Sequence, residues 1–159
     1  MVRIALREDL MRINELRRQV NIIHCEARPD MFRTGFCDEL RDFLYDIWEF
    51  DNSDVITAVR DGVICGYACV EYITKPLSAF QWKRSFYHVS EFGVDREYRR
   101  QGVGTELFAF IRSHARNMGL DKIELDVWEF NDTALKFYES LGFHTYRRYM
   151  EFDNQPARE

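Results

Sequence analysis

The chain predicts a single α/β domain, a mixed and mostly antiparallel sheet flanked by helices in the order β-α-α-β-β-β-α-β-α-β. Three observations carry this. Apolar residues recur with helical spacing in some segments and strand spacing in others. Asp61-Gly62 sits between two strand-like runs, as in a tight hairpin. Gly119 and Gly142 each follow a helical segment, where a residue tolerant of positive φ ends the helix.

Taken in order, residues 2–6 read as an opening strand. Leu10, Ile13, Leu16, Val20 and Ile23 then make a helical stripe over about 9–25, which Pro29 closes. Leu40, Phe43, Leu44, Ile47 and Trp48 form a second stripe, ended by Asn52-Ser53. Residues 55–60 and 63–73 are the hairpin strands, and the Pro76-bearing stretch 74–84 is a loop before a strand at 85–94. A glycine-bearing turn follows, then a helix with Leu107, Phe108, Ile111, Ala115 and Met118 on one face. Ile123, Leu125 and Val127 alternate as a strand, Asn131 caps a short helix, and a final strand is expected at 143–152. Residues 1–152 make up the domain and 153–159 a tail.

The 159 residues suit one domain, and 13 Phe, 8 Tyr and 3 Trp argue against disorder. The 22 basic and 27 acidic residues give a formal charge of -5, which disfavours nonspecific nucleic-acid binding. No apolar run is long enough for a bilayer helix, and no signal-peptide pattern opens the chain, so a cytoplasmic location without membrane attachment is expected. Cys25, Cys37, Cys65 and Cys69 show no CxxC spacing and read as reduced, buried thiols. No cluster has metal-ligand spacing, so no metal is expected.

The turn after the 85–94 strand combines charge, glycine and a helix start. Arg99, Arg100, Gln101, Gly102, Val103, Gly104 and Thr105 lead directly into the helix, whose first N–H groups lack intrahelical partners and carry a partial positive charge. An anion can be held there by backbone alone, with glycine permitting close approach. A P-loop would need Lys-Ser or Lys-Thr after the glycine, and a dinucleotide fingerprint would need glycine where Leu107 stands. ATP and NAD are therefore disfavoured. The competing reading is a helix entry in which glycine only permits the turn.

The turn resembles the Q/R-x-x-G-x-G/A signature of the GNAT superfamily of N-acetyltransferases, with Arg99 first and Gly102 and Gly104 fixed. Downstream, Asn131-Asp132-Thr133-Ala134-Leu135-Lys136-Phe137-Tyr138-Glu139-Ser140-Leu141-Gly142-Phe143 resembles the family's N-x-x-A-x-x-F-Y-x-x-x-G-F segment. The two motifs stand in the family's order, and the resemblance covers about residues 1–152. It implies a GNAT-like fold and transfer of an acetyl group from acetyl-CoA to a primary amine of a small molecule or protein. A noncatalytic acyl-CoA-binding or sensor protein is the alternative.

The resemblance also implies residue roles. Phe92, Gly93 and Val94 would offer backbone groups to the pantetheine arm, where two strands splay apart. The turn residues, with Asn131, Ala134 and Tyr138, would complete the cofactor site. Tyr138 matches the proton donor to the departing thiolate, although its helical face also suits a core aromatic. A base must deprotonate the amine. Glu91 is preferred, with His88 and Glu129 as further candidates. His88 and Glu91 fall on opposite faces unless a bulge intervenes. His24 and Phe32, in the connection between the first two helices, and Glu129 are assigned to acceptor binding. Acidic residues there favour a cationic amine. A final strand rich in Tyr and Arg is compatible with a homodimer.

Overall fold

The computed structural model describes residues 1–154. They fall into two compact units, one spanning Met1–Asp126 and the other beginning at Val127. The first holds β1 (Val2–Ile4), α1 (Leu10–Ala27), α2 (Asp38–Glu49), β2 (Ser53–Arg60), β3 (Val63–Lys75), β4 (Arg84–Val94), α3 (Val103–Asn117) and β5 (Ile123–Leu125). The strands lie in the order β1-β2-β3-β4-β5. Every pair is antiparallel except β4–β5, because the α3 crossover returns the chain in the same direction. The α/β class and the element order through α4 are those the sequence predicts.

Local chemistry explains the boundaries. Asp61 and Gly62 both take positive φ, 49° and 77°, the combination that matches a two-residue turn to strand twist. α1 runs two residues beyond its predicted end at 25, its last turn closed by the Arg28 N–H on the His24 carbonyl at 2.9 Å. His24 therefore belongs to α1, not to the connection after it.

Strand alternation gives the sheet two packed faces. On one, Tyr67 and Cys69 of β3 pack with Leu10, Ile13 and Leu16 of α1 and with Leu44 and Ile47 of α2. On the other, Ala68 and Val70 of β3, and Tyr87 and Val89 of β4, pack with Val103, Leu107 and Ile111 of α3. Of the cysteines expected to be buried, Cys65 and Cys69 are, whereas Cys25 is half-buried and Cys37 exposed. Neither of the last two extends an apolar strand face, which is what buries the first two.

Two features of the sheet decide where functional groups point. In the β3–β4 ladder Cys69 pairs with Glu91 but Val70 pairs with Val89, so Ser90 is an extra residue bulged out of β4. Its hydroxyl donates to the Cys69 carbonyl at 3.2 Å. The bulge resets the alternation, turning Phe92 and Val94 to the α3 side and Glu91 to the α1 side. The second feature is Gly66, where a Cβ would lie 2.9 Å from both Leu107 Cδ1 and Val103 Cγ1 and 3.3 Å from the Gly93 carbonyl. The missing side chain lets the N-terminal turn of α3 rest on β3.

The second unit contains α4 (Asp132–Ser140), capped as predicted: the Asn131 side chain accepts from the Ala134 N–H at 3.2 Å, and Gly142 follows at φ 95°. The strand predicted at 143–152 is not formed among the described residues. Among its described residues the unit holds no second strand, and the apolar positions Tyr146, Tyr149, Met150 and Phe152 do not alternate. The strand on which the dimer expectation rested is thus absent from the described residues.

Replacing Gly66 with Ala forces Val103 and Leu107, both buried, to move. A loss of about 1–3 kcal/mol in urea unfolding is expected. An unchanged unfolding midpoint would mean that α3 does not depend on this gap.

Candidate active site

The glycine turn leads into α3 through two left-handed residues. Arg100 and Gly102 both have positive φ, 59° and 83°, and such left-handed residues turn successive N–H groups to one side. The first intrahelical bond of α3 runs from the Glu106 N–H to the Gly102 carbonyl at 3.0 Å. The N–H groups of Val103, Gly104 and Thr105 lie ahead of it, at the positive end of a 15-residue helix.

Side chains around the turn hold its shape. Gln101 Nε2 donates to the Glu97 carbonyl at 2.8 Å, and Arg99 Nε donates to the Val94 carbonyl at 3.1 Å. Arg99 is thus partly used in structure, while Arg100 is exposed. Glu106, an acid in the first turn of α3, is paired with Arg60 at 2.6 Å. Buried Asp95 ties the start of the turn to α1 by accepting from Arg12 Nη2 at 2.5 Å and from Gln19 Nε2 at 3.3 Å.

The β4–β5 ladder ends well before β4 does. β4 and β5 pair only from Tyr87↔Ile123 to Val89↔Leu125, whereas β4 continues to Val94. Phe92, Gly93 and Val94 lie on this continuation, paired on the other side with Ala68, Tyr67 and Gly66. Gly93 is sterically required: a Cβ would fall 2.5 Å from Tyr67 Cε1.

Glu91 is held more firmly than the sequence suggests. Arg17, only 3% exposed, donates from Nη2 to Oε1 at 2.7 Å and from Nε to Oε2 at 2.8 Å. Tyr67 Oη adds a third bond to Oε2 at 3.3 Å. Arg17 Nη1 is bound to Asn14 Oδ1 and to the Leu40 carbonyl, at 2.8 and 2.5 Å. Burial opposes the Arg17 charge, but the Glu91 bonds and charge outweigh it and raise the guanidinium pKa. Burial likewise pushes the Tyr67 phenol and the Cys69 thiol well up, with the Glu91 charge adding to both. Such a network works against Glu91 as a free base.

Because Ser90 is bulged, His88 and Glu91 share the α1 side of the sheet. His88 pairs in register with Glu71 on β3 and Glu124 on β5, a carboxylate–imidazole–carboxylate row across three strands. Asp126 Oδ2 lies 4.0 Å from His88 Nε2. Sequence reading missed Glu71, Glu124 and Arg17. Their signals were present: Glu71 continues the inward set of Tyr67 and Cys69, and Arg17 stands at i+4 and i+7 from Ile13 and Leu10 in the α1 stripe.

The other predicted residues are placed as follows. His24 Nδ1 is 2.9 Å from the Val20 carbonyl, and its ring lies 5.1 Å from that of Phe32. Glu129 is exposed in the turn before α4. Asn131, Ala134 and Tyr138 belong to the second unit, where the Tyr138 ring contacts Phe137 and Phe143. Burial pushes its phenol up to about 12. Among the described residues no group of three His, Cys, Asp or Glu side chains is placed to hold a metal ion, and no helix is long and apolar enough to cross a membrane.

A left-handed glycine opens α3 beside a β4 that outruns its ladder with β5. The Acetyltransferase (GNAT) family model matches residues 19–143, and the chain belongs to this family. It is 35% identical to the mycothiol acetyltransferase of Thermobispora bispora over 94 residues, 59% of this chain and 31% of that protein. Over 70 residues, 44% of this chain and 46% of the relative, it is 34% identical to glucosamine 6-phosphate N-acetyltransferase of Trypanosoma brucei brucei. The chain spans about a third of the length of the first curated relatives it matches. Among solved structures, a mutant of the BH1408 protein from Bacillus halodurans superposes with TM-score 0.93 at 29% identity, covering 98% of this chain and 99% of that one. The aminoglycoside N-acetyltransferase AAC(6')-Iy, solved with CoA, shares the fold at TM-score 0.77 and 19% identity, over 98% and 95%. The family uses acyl-CoA.

Replacing Glu91 with Ala leaves Arg17 charged and buried without its partner, and a loss of about 3 kcal/mol in urea unfolding is expected. A drop in turnover with unchanged stability would instead make Glu91 a base.

Proposed function

We propose that this chain transfers the acetyl group of acetyl-CoA to a primary amine, in the cytoplasm. The observation that carries this reading is the αL glycine at the open start of α3, joined to a β4 that outruns its ladder with β5. The N–H groups of Val103, Gly104 and Thr105, with those of the preceding turn, would hold the pyrophosphate. The β4 edge at residues 92–94 would align the pantetheine arm, and an N–H there would hold the thioester oxygen as negative charge develops. The names of the relatives, which include acetyltransferases of mycothiol and of glucosamine 6-phosphate, support an acetyl donor.

Tyr138 is assigned to the leaving thiolate, with Asn131 and Ala134 at the start of the same helix. With its phenol near 12 and a thiol near 8.5, full proton transfer would be uphill by about 5 kcal/mol. Tyr138 therefore acts as a hydrogen-bond donor that stabilises the thiolate while water or the collapsing ammonium supplies the proton. Because the phenol pKa is raised, the donor stays protonated throughout the working range, and no alkaline loss of activity below about pH 11 arises from it. Glu91 is read as a positioning residue that fixes Arg17 and α1 against β4.

The test is release of free CoA thiol from acetyl-CoA across a panel of primary amines. Thiol release that depends on the amine supports transfer. Tight acetyl-CoA binding without release from any amine would favour a sensor. Tyr138→Phe is expected to lower kcat by about 10- to 100-fold with little change in CoA affinity. Equal activity would reduce Tyr138 to packing.

A further inference from the structure

We infer that the row Glu71–His88–Glu124 is the acceptor site, that His88 takes the proton from the reacting amine, and that the acceptor is a diamine or polyamine carrying at least two positive charges. This rests on the acetyl-transfer reading above and adds to it the base and the substrate class.

Position is the first argument. His88↔Glu124 is the next-to-last rung of the β4–β5 ladder, and the bulged Ser90 directly follows the last one, Val89↔Leu125. The row therefore stands near the end of the β4–β5 ladder, on the strand that carries the edge assigned to the thioester. Directly opposed residues on adjacent strands point to one face, with Cβ atoms about 4.5–5.5 Å apart. Along β3, Tyr67 and Cys69 are buried under α1 and α2, whereas Glu71, next on that face, is half-buried. His88 is 23% exposed. The face emerges from beneath the helices where these groups lie.

Charge is the second argument. Four carboxylates share this region of the α1 side: Glu71, Glu91, Glu124 and Asp126. Arg17 neutralises Glu91 and Arg84 is paired with Glu124, so four minus two leaves Glu71 and Asp126. The Glu71 side chain makes no hydrogen bond or ion pair among the described residues. Asp126 is paired only loosely with His88, at 4.0 Å. Two uncompensated carboxylates on opposite sides of one imidazole fit two ammonium groups better than one.

The step balances. The reacting ammonium gives one proton to a His88 ring nitrogen, and its lone pair attacks the thioester carbon. The C–N bond forms and the C–S bond breaks as the tetrahedral species collapses. The nitrogen's second proton goes to the departing thiolate, and His88 returns its proton to water. Glu71 binds the ammonium that does not react.

The probes are 1,4-diaminobutane, 1-aminobutane and 4-aminobutanoate with acetyl-CoA and the full chain. We expect kcat/KM at least tenfold higher for the diamine than for either other amine. Glu71→Gln should raise the diamine KM about tenfold with kcat and CoA affinity nearly unchanged. His88→Gln should lower kcat at least 50-fold at pH 7, with activity recovering as rising pH supplies free amine. Equal selectivity for the three amines, or variants indistinguishable from wild type, would overturn the inference while leaving acetyl transfer intact. A readout free of turnover separates the two claims: the His88 imidazole proton resonance, assigned by its loss in His88→Gln, should shift on titration with 1,4-diaminobutane and not in Glu71→Gln. Absence of that shift in the wild type would overturn the acceptor site. Its presence without thiol release from any amine would support the site and count against the transfer reading.

Discussion

One extra residue in β4 determines what each face of the central strand presents. With Ser90 bulged out, Tyr87, Val89, Phe92 and Val94 all serve the α3 core despite the change of parity between 89 and 92. His88 and Glu91 are left together on the other face. In a regular strand they would be separated by the sheet. The bulge also directly follows the last β4–β5 rung, so the break in alternation and the end of the ladder coincide. Bulges are common beside active sites because they re-aim side chains at the cost of one irregular rung.

Much of the frame around this point serves to hold it still. Arg17 is nearly inaccessible and links α1 to Glu91 and to the Leu40 carbonyl in α2, so both helices are referenced to β4 by one guanidinium. Asp95 does the same one turn further on, joining Arg12 and Gln19 of α1 to the start of the glycine turn. On the opposite face, the gap at Gly66 sets how closely α3 approaches. Buried ion pairs contribute little net stability, yet losing one partner is costly, which suits groups whose task is alignment.

The elements were legible because they rest on local signals: the Asp61-Gly62 turn, the stripes of α1 and α2, the Asn131 cap, and the glycines after α3 and α4. The glycine turn was legible for the same reason, since its geometry is set by a few consecutive residues. The acceptor side was not. Glu71, His88 and Glu124 are far apart in sequence and become neighbours only through register, and a single bulge decides which residues share a face. The preference for Glu91 as base also failed to anticipate Arg17, because an arginine in an otherwise apolar stripe does not announce its partner. The strand predicted at 143–152 rested on its place after the helix-ending Gly142, and such a local signal does not supply a pairing edge.

The central claim is that the backbone at the start of α3 receives the CoA pyrophosphate. The most direct measurement is the amide ¹H–¹⁵N spectrum of the chain titrated with CoA and, separately, with pantetheine, which lacks the phosphates. CoA should shift the amides of Val103, Gly104 and Thr105 strongly, and pantetheine should leave them nearly in place. Saturable CoA binding that leaves these three amides unmoved would contradict the account.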